Sequence, residues 1–196
     1  MAAANKKYET YSYFDAIDIY EKVARKGYQS PELFKKLGNA YYFNSDFKKA
    51  AEWYGSLFRI DTARIEPEYY YRYAQTLKSF GNPDRANEYM DKFTQAASND
   101  RRAVMYAAHK DYFEIIRHNS GRFNIRNAGF NSPFSDFGTA FLKDRLIFTT
   151  ARDTGGPISR KMKWTNQAFT QLYATTAKVD GTFSQPEPFS VNLNSK

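Results

Sequence analysis

The chain of 196 residues contains no cysteine and only two histidines, and these two scarcities limit the chemistry open to it. Without cysteine it can form no disulfide framework and offers no thiolate ligand to a metal ion. His109 and His118 are nine positions apart, and neither has a metal-ligating partner at a suitable spacing. The sequence therefore predicts no metal site and no cofactor. The compartment is not decided by this argument, because many exported proteins also lack cysteine.

Long apolar runs are also missing, since no stretch of 18 apolar residues occurs. A membrane-spanning helix needs about 20 such residues, so we predict no transmembrane segment in this chain. Residues 1–5 do not have the composition of a secretory signal. Two questions stay open at this point: whether a signal peptide has been removed upstream, and whether Met1 is the native amino terminus.

Acidic residues become scarce in the second part of the chain, where most of the net charge of +8 arises. Residues 1–119 carry 19 lysines and arginines and 16 acidic residues, a net charge of +3. Residues 120–196 carry 10 and 5, a net charge of +5. The cluster Arg160, Lys161 and Lys163 is too isolated to form the continuous basic stripe that nucleic acid requires. We therefore expect a solvated loop there and no nucleic-acid partner.

A step of 34 residues recurs in the first part of the chain and links Ala16 to Ala50 and Tyr20 to Tyr54. This is the period of a repeated helical hairpin, in which each unit buries its apolar face against the next. The clearest unit runs from Pro31 to Tyr54 and resembles the tetratricopeptide (TPR) repeat. The packing positions of that family are occupied here by Phe34, Leu37, Gly38, Tyr41, Ala50 and Tyr54.

The hairpin period divides residues 1–119 into three units followed by a capping stretch. We predict helices at 3–10 (the remnant of a first unit), 13–26, 31–43, 47–59, 67–80, 84–97 and roughly 100–118. Gly38 and Ala50 are expected to face each other, because a larger residue would wedge the helices apart. In helix 13–26 the spacing predicts a packed stripe of Phe14, Ile17, Tyr20, Val23 and Ala24.

Beyond Ser120 the helical spacing gives way to short alternating runs separated by turn residues. These runs predict an antiparallel β meander with strands at 122–127, 137–142, 145–150, 172–176 and 189–193. The predicted fold class is therefore α+β. Residues 1–119 would form an α-helical TPR solenoid, and residues 120–196 a β region.

The segment 135–153 resembles a blade of the WD40-like, PD40-type β-propeller, and 171–190 is similar to the end of such a blade. A propeller needs about four blades or more, and this chain has room for one. The order of TPR array and blade resembles the amino-terminal part of Bacteroidetes outer-membrane-associated proteins that carry an OmpA-like peptidoglycan-binding domain, such as the type IX secretion component with that layout. The resemblance implies a fragment of a periplasmic, outer-membrane-associated protein. No residue here matches the OmpA-like domain.

The TPR resemblance implies that the first helix of each hairpin lines a groove that binds a protein or peptide partner. The groove residues implied by position are Lys35, Asn39, Tyr42, Phe43, Tyr71, Arg72, Gln75 and Lys78. Lys35 and Asn39 match two positions of the clamp that grips a peptide carboxyl terminus in chaperone-binding TPR proteins. Arg72 stands where that clamp has asparagine, so we expect a general protein groove instead. Outer-membrane proteins are among the expected partners.

The aromatic run Tyr69–Tyr71 cannot be buried as a whole, because three successive helical residues point in three directions. We expect Tyr70 to lie in the core and Tyr69 and Tyr71 to lie toward the surface. Exposed tyrosine is a favoured anchor at protein interfaces.

Two short motifs have ordinary explanations. Asp153-Thr154-Gly155 matches the aspartic-protease tripeptide, but that chemistry needs two such loops, and only one exists. Asp136-Phe137-Gly138 spells the kinase metal-binding triplet without its companion loops, and Gly138 is expected to relieve crowding at a strand start.

The sequence thus predicts a non-enzymatic interaction scaffold. One alternative is a propeller-type hydrolase with a TPR adaptor, which would need converging carboxylates among Asp136, Asp144, Asp153, Asp180 and Glu187. The other alternative is a basic nucleic-acid-binding protein.

Overall fold

The computed structural model describes residues 1–60, 65–110, 112–152, 160–190 and 192–194. The chain divides into two compact units, Met1–Ser120 and Gly121–Lys196. The described residues of the first form eight helices, and those of the second form a four-stranded antiparallel sheet. The predicted α+β fold class is confirmed. The tripeptide Asp153-Thr154-Gly155 lies outside the described residues.

The helical unit consists of short antiparallel helices joined by tight connections. Their bounds are α1 Ala2–Glu9, α2 Tyr13–Arg25, α3 Pro31–Phe43, α4 Phe47–Ile60, α5 Pro67–Lys78, α6 Pro83–Ala96, α7 Arg101–Ala108 and α8 Tyr112–Asn119. The predicted capping stretch 100–118 is two helices, since α7 ends at Ala108 and α8 begins at Tyr112.

Local capping residues explain where several of these helices begin. Proline occupies the first position of α3, α5 and α6, where its missing N–H would have no helical partner. The side chain of Ser30 accepts a hydrogen bond from the Leu33 amide at 3.1 Å, and that of Asn82 accepts one from the Arg85 amide at 3.3 Å. Gly27 follows the end of α2 with a φ of +88°, a conformation that L-residues rarely adopt.

Consecutive helices pack as hairpins, and each hairpin packs on the next. The pairs α1–α2, α3–α4 and α5–α6 are in direct contact, and α2–α3, α4–α5 and α6–α7 join them into a stack. Ala16, Ala50 and Ala86, at equivalent positions of the second helices, are all fully buried. The helical unit therefore has a TPR-like fold, in agreement with the 34-residue period.

A hydrogen bond between the two helices of a hairpin recurs with the same period. The Tyr20 hydroxyl donates to Asn5 Oδ1 at 2.7 Å, and the Tyr54 hydroxyl donates to Asn39 Oδ1 at 2.8 Å. Asn39 lies 34 residues after Asn5, and Tyr54 lies 34 residues after Tyr20. Equivalent tyrosines and asparagines therefore tie the first and second hairpins in the same way.

Gly38 lies beneath an aromatic ring, and this differs from the predicted contact with Ala50. A Cβ atom at Gly38 would lie 2.4 Å from Cε1 and 2.5 Å from Cδ1 of Tyr54, which are the nearest atoms to it. The small residue is needed because the Tyr54 ring crosses the backbone of α3 on its way to Asn39. Ala50 is buried elsewhere in the same core.

Two packing predictions for aromatic residues are wrong. Phe14 is 44% exposed, whereas its neighbour Tyr13 is 4% exposed and stacks on Phe43. Tyr70 is only partly buried, like Tyr69 and Tyr71, and Tyr73 is the tyrosine of α5 that enters the core. Both errors have one cause: helical spacing gives the angle between residues but not the absolute direction of the packed face.

The sheet of the second unit is a meander with the strand order β1-β2-β3-β4. Its strands are β1 Asp136–Leu142, β2 Arg145–Thr150, β3 Gln171–Thr176 and β4 Glu187–Pro188. Three predicted strands, 137–142, 145–150 and 172–176, are confirmed. The predicted strand 122–127 is wrong, because this segment is irregular and exposed. The predicted strand 189–193 is also misplaced, since β4 lies at 187–188, just before it.

The meander has a small core of its own on one side of β2 and β3. Leu146, Phe148 and Thr150 alternate as buried residues along β2, and Phe148 packs on Phe130 with ring centres 4.9 Å apart. Gly138 sits at a β-bulge with a φ of +65°, and the nearest atom to a Cβ there would be at an ordinary 3.6 Å. The backbone conformation, not the predicted crowding, requires glycine at this position.

Candidate partner-binding face

The first helices of the last three hairpin positions, α3, α5 and α7, bring polar and aromatic side chains into one connected network. We call this surface the first-helix face. Its residues are Lys35, Asn39, Tyr42, Phe43, Glu66, Glu68, Tyr71, Arg72, Gln75, Lys78, Asp100 and Arg102. It contains all eight predicted groove residues and four more that the sequence analysis missed: Glu66, Glu68, Asp100 and Arg102.

Asn39 is held at the base of the first-helix face and is only 7% exposed. Its Oδ1 accepts hydrogen bonds from the Tyr54 hydroxyl at 2.8 Å and from Arg72 Nη1 at 2.7 Å. Its oxygen is therefore engaged in holding α3 to α4 and α5. Asn39 thus has a structural role in addition to the predicted place in the groove.

Arg72 links α3 to α5 by both its charge and its planar surface. Its guanidinium lies 5.0 Å from the ring centre of Phe43 and 5.7 Å from that of Tyr42. Its Nε donates to Glu68 Oε1 at 3.1 Å, one helical turn earlier in α5. The predicted residues Asn39, Tyr42, Phe43 and Arg72 are therefore brought together.

Arg102 of α7 extends the network in the same manner. Its Nη2 donates to Glu68 Oε2 at 2.7 Å and to Asp100 Oδ2 at 2.9 Å, and its guanidinium lies 4.3 Å from the ring centre of Tyr71. Glu68 and Arg102 are 34 residues apart, so they occupy the same position in successive repeats. The repeat period was the signal that could have identified this pair.

Glu68 is the shared acceptor of the two arginines, and its ionised form is stabilised. Burial alone would raise the pKa of this carboxyl, but the hydrogen bond from Arg102 and the charges of Arg72 and Arg102 together outweigh burial. The pKa of Glu68 is therefore lowered from its ordinary value. The charges of Arg72 and Arg102 are matched by those of Glu68 and Asp100, so this arginine network is neutral overall.

Lys35 is also paired within the chain. Its Nζ donates to Glu66 Oε2 at 2.5 Å and lies 5.1 Å from the ring centre of Tyr69. The cation that matched the carboxyl-terminal clamp is thus bonded to a carboxylate of the following connection. A peptide terminus would have to share the Lys35 ammonium with Glu66.

Tyr42 and Phe43 form a half-buried aromatic ridge at the end of α3. The Tyr42 ring contacts Phe43 at 5.8 Å and Phe47 at 5.6 Å between ring centres. Phe43 stacks on Tyr13 at 5.5 Å, which ties the ridge to the first hairpin. This ridge offers apolar surface beside the charged groups, a mixture that suits a protein interface.

Gln75 and Lys78 lie further along α5 and differ from the rest of the face. The Gln75 side chain makes no hydrogen bond with any described residue, and Lys78 has no carboxylate partner among them. The Lys78 ammonium instead lies over the rings of Tyr112, at 4.9 Å, and Tyr106, at 5.9 Å. Burial lowers the pKa of Lys78.

Two cavities lie between second helices, away from the predicted residues. One of 420 Å³ is lined by Glu21 and Arg25 of α2, Phe34 of α3 and Trp53 of α4. The other, of 430 Å³, includes Gly55 in its lining. Both have mixed polar and apolar walls, and the sequence contained no signal for either.

The described carboxylates of the sheet unit have local structural partners. Asp136 accepts hydrogen bonds from the Ser132 amide at 2.5 Å and from Arg152 Nη2 at 3.3 Å, and Asp180 binds the Thr182 hydroxyl at 2.6 Å. Glu187 pairs with Arg145 at 3.0 Å, a contact that crosses from β2 to β4. Asp144 lies in the β1–β2 turn. These contacts hold turns and strand ends in place, as turn-forming residues do.

Within the described ranges, no group of three or more histidine, cysteine or acidic residues is arranged to hold a metal ion. None of the helices in the described part of the chain is long and apolar enough to cross a bilayer.

Comparison with known proteins gives likenesses to solved structures only. No protein-family model matches the chain. No curated protein matches it either. The chain is similar to a crystal structure of the C-terminal part of a TPR repeat-containing protein from Cytophaga hutchinsonii, with 20% sequence identity and a TM-score of 0.49. The likeness covers 62% of this chain and 45% of that one, so the chain spans less than half of that structure.

Proposed function

We propose that the helical unit is a non-enzymatic interaction scaffold that docks a protein partner on the first-helix face. The observation that carries the proposal is the pre-paired surface formed by Arg72 and Arg102 with their aromatic and acidic neighbours. Its groups are already oriented before a partner arrives, so docking loses little side-chain entropy. The enrichment in arginine and tyrosine is typical of protein interfaces.

The engaged state of Lys35 and Asn39 favours an extended protein surface or internal peptide segment over a gripped carboxyl terminus. The Lys35 ammonium is paired with Glu66, and Asn39 is largely buried with its Oδ1 bonded to Tyr54 and Arg72. The face still presents Tyr42, Tyr71 and Gln75 as partly exposed side chains. We therefore expect contact made mainly by aromatic surface, with the neutral arginine network setting the partner's orientation.

We further propose that this scaffold works in an assembly at the periplasmic side of the outer membrane, connected with secretion or the cell envelope. What supports this setting is the order of TPR hairpins followed by a blade-like β segment in the sequence. The four-stranded meander fits the expectation of a single blade.

Site-specific photo-cross-linking in the source cell tests the docking face. A benzophenone amino acid at Gln75, on the first-helix face, is expected to cross-link one partner reproducibly. The same amino acid at Gln95, an exposed glutamine of the second helix α6, is the matched control and should not. Mass spectrometry of the cross-linked species identifies the partner.

A pair of charge variants makes the result specific. Gln75→Arg adds a bulky cation to the face without removing a described hydrogen bond, and should reduce recovery of the identified partner at least fivefold. Gln95→Arg adds the same charge on the other side and should leave recovery unchanged. Equal capture from both positions, or loss with Gln95→Arg alone, would show that the first-helix face is not where docking occurs.

A further inference from the structure

One end of the first-helix face carries a cation that has no counter-ion among the described residues. Lys78, in the last turn of α5, is partly buried, and none of the described carboxylates pairs with it. This sets it apart from the cationic side chains Lys35, Arg72 and Arg102, each of which pairs with a carboxylate. A partly desolvated ammonium without an anion nearby is unfavourable, so a carboxylate arriving there would be bound more strongly than at an exposed lysine.

The ring beneath Lys78 carries a second unsatisfied group. The Lys78 ammonium is 4.9 Å from the ring centre of Tyr112, and the Tyr112 hydroxyl is buried without a hydrogen-bond partner among the residues that the structure describes. Burial raises the pKa of Tyr112 to about 12, so the hydroxyl keeps its proton at neutral pH and can donate it. A buried polar group without a partner costs about 1–3 kcal/mol, so an incoming acceptor would relieve an existing deficit.

The polar groups next to Lys78 limit which ligand chemistry fits the site. The Tyr106 hydroxyl donates to the Asn87 carbonyl at 3.4 Å, and Lys110, which lies 5.5 Å from the Tyr106 ring centre, is paired with Asp91 at 2.6 Å. The site therefore offers two donors, the Lys78 ammonium above the two rings and the buried hydroxyl at the edge of the Tyr112 ring. This set fits one carboxylate whose methylene groups rest on the rings.

We propose that Lys78 and Tyr112 form a recognition point for one acidic side chain, aspartate or glutamate, of the protein that docks on the first-helix face. This inference rests on the proposed docking function and adds the chemistry of the partner. A side chain fits better than a carboxyl terminus, because Arg72 and Arg102, which could help to grip a chain end, are already bonded to carboxylates.

Titration of the full chain with small carboxylates, followed by the amide NMR signals of Lys78 and Tyr112, tests the proposal. N-acetyl-glutamate N-methylamide supplies one side-chain carboxylate and should bind with a millimolar Kd. N-acetyl-glutamine N-methylamide, which lacks the charge, should bind at least tenfold more weakly. N-acetylglycine imitates a carboxyl terminus and should also be weaker; if it binds more tightly than the glutamate probe, the assignment to a side chain is wrong.

Single substitutions test whether the glutamate probe binds at Lys78 rather than at another lysine. Lys78→Gln should weaken the glutamate probe at least tenfold, and Tyr112→Phe about three- to tenfold while leaving the thermal midpoint unchanged or raised. Lys110→Gln is the matched control, because its ammonium also lies over Tyr106 but has a carboxylate partner, and it should change the affinity less than twofold. An unchanged affinity in Lys78→Gln would overturn the proposal.

Asp111 is the acidic residue closest in sequence to Tyr112, so Asp111→Asn is measured as well. If the glutamate probe bound only in this variant, the chain's own carboxylate would fill the site, and the proposal would fail. The docking function is judged separately: a partner cross-linked at Gln75 with no acidic probe bound at Lys78 would leave docking intact and remove only this recognition point.

Discussion

At the scale of single residues, the hairpins depend on a small residue lying beneath a large aromatic one. Tyr54 reaches across Gly38 to donate its hydrogen bond to Asn39, and Tyr20 makes the equivalent bond to Asn5. The 34-residue spacing of the two tyrosines and of the two asparagines is visible in the sequence, but the hydrogen bonds between them are not. From the sequence, the Asn39 side chain could bind a partner in the groove or hold the two helices of its hairpin together. The packed position of the Tyr54 ring shows that it holds the hairpin.

Gly38→Ala is expected to destabilise the helical unit by about 1–3 kcal/mol, because the added methyl would overlap the Tyr54 ring, and overpacking a tight core has costs of this size. The better helix propensity of alanine recovers only part of this loss. Chemical denaturation followed by circular dichroism measures the change in the free energy of unfolding.

Gly55→Ala, in α4, is the matched control for that substitution. Its new Cβ would lie 3.2 Å from the Tyr73 hydroxyl oxygen, which is the far end of a side chain that can move slightly. We expect a change between neutral and about 1 kcal/mol stabilising, from helix propensity. Equal destabilisation by both substitutions would contradict the special role of Gly38.

At the scale of elements, α3, α5 and α7 are joined by side-chain pairs as well as by apolar packing. Helix periodicity predicted that these elements exist and where they begin, because capping residues and prolines act locally. It did not predict the split between α7 and α8 or the contact between Glu68 and Arg102, since both depend on how one hairpin sits on the next. The two strand errors, at 122–127 and 189–193, have the same origin, because alternation alone does not show whether a segment finds a partner strand.

Glu68→Gln is expected to lower the free energy of unfolding at pH 7 by up to about 1 kcal/mol, as for a partly exposed ion pair. The folded-state pKa of Glu68 lies below its ordinary value of 4.5. The contribution of ionised Glu68 to the free energy of unfolding is therefore fully present above the unfolded-state pKa. It is lost as the pH falls through the folded-state pKa. Denaturation curves recorded from pH 7 down to pH 3 should show the wild type and the variant converging toward the acid end.

Glu88→Gln removes a comparable partner within a single helix, where Lys92 Nζ lies 2.6 Å from Glu88 Oε1. Ion pairs four residues apart on one helix stabilise it by about 0.3–0.5 kcal/mol. The Glu88–Lys92 pair lies within α6 and does not connect one hairpin to another. We expect a smaller loss at pH 7 than for Glu68→Gln. If the Glu68 variant stayed below the wild type by a constant amount at every pH, the account of its ionised form would be wrong.

At the scale of the whole molecule, the sheet unit exposes apolar surface that its described residues do not cover. Every residue of β1 after Asp136 is exposed, including Phe141 at 71%, and β1 lies at the edge of the described sheet. An exposed apolar edge strand is a template for pairing with another chain. The expectation that residues 120–196 pair with a second copy or are readily cleaved by protease stays a prediction.

Phe141→Lys is expected to reduce self-association or aggregation of the protein, because a lysine on an edge strand opposes pairing. Light scattering after size-exclusion chromatography, over a range of protein concentrations, measures the effect. Thr170→Lys adds the same charge at an exposed position outside the strands and should have little effect. A wild-type monomer whose sheet unit resists limited proteolysis would contradict the prediction.

The sequence by itself determined the hairpin period, most helix starts and the α+β class, because periodicity, proline and capping residues act over a few neighbouring positions. Only the tertiary structure decided which charged groups meet. Arg102 of α7 meets Glu68 of α5, whereas Lys78 meets none of the carboxylates in the described part of the chain, because such pairing depends on the distances between helices that are far apart in the chain. That difference is a matter of packing rather than of residue type, and the proposed recognition of an acidic side chain at Lys78 rests on it.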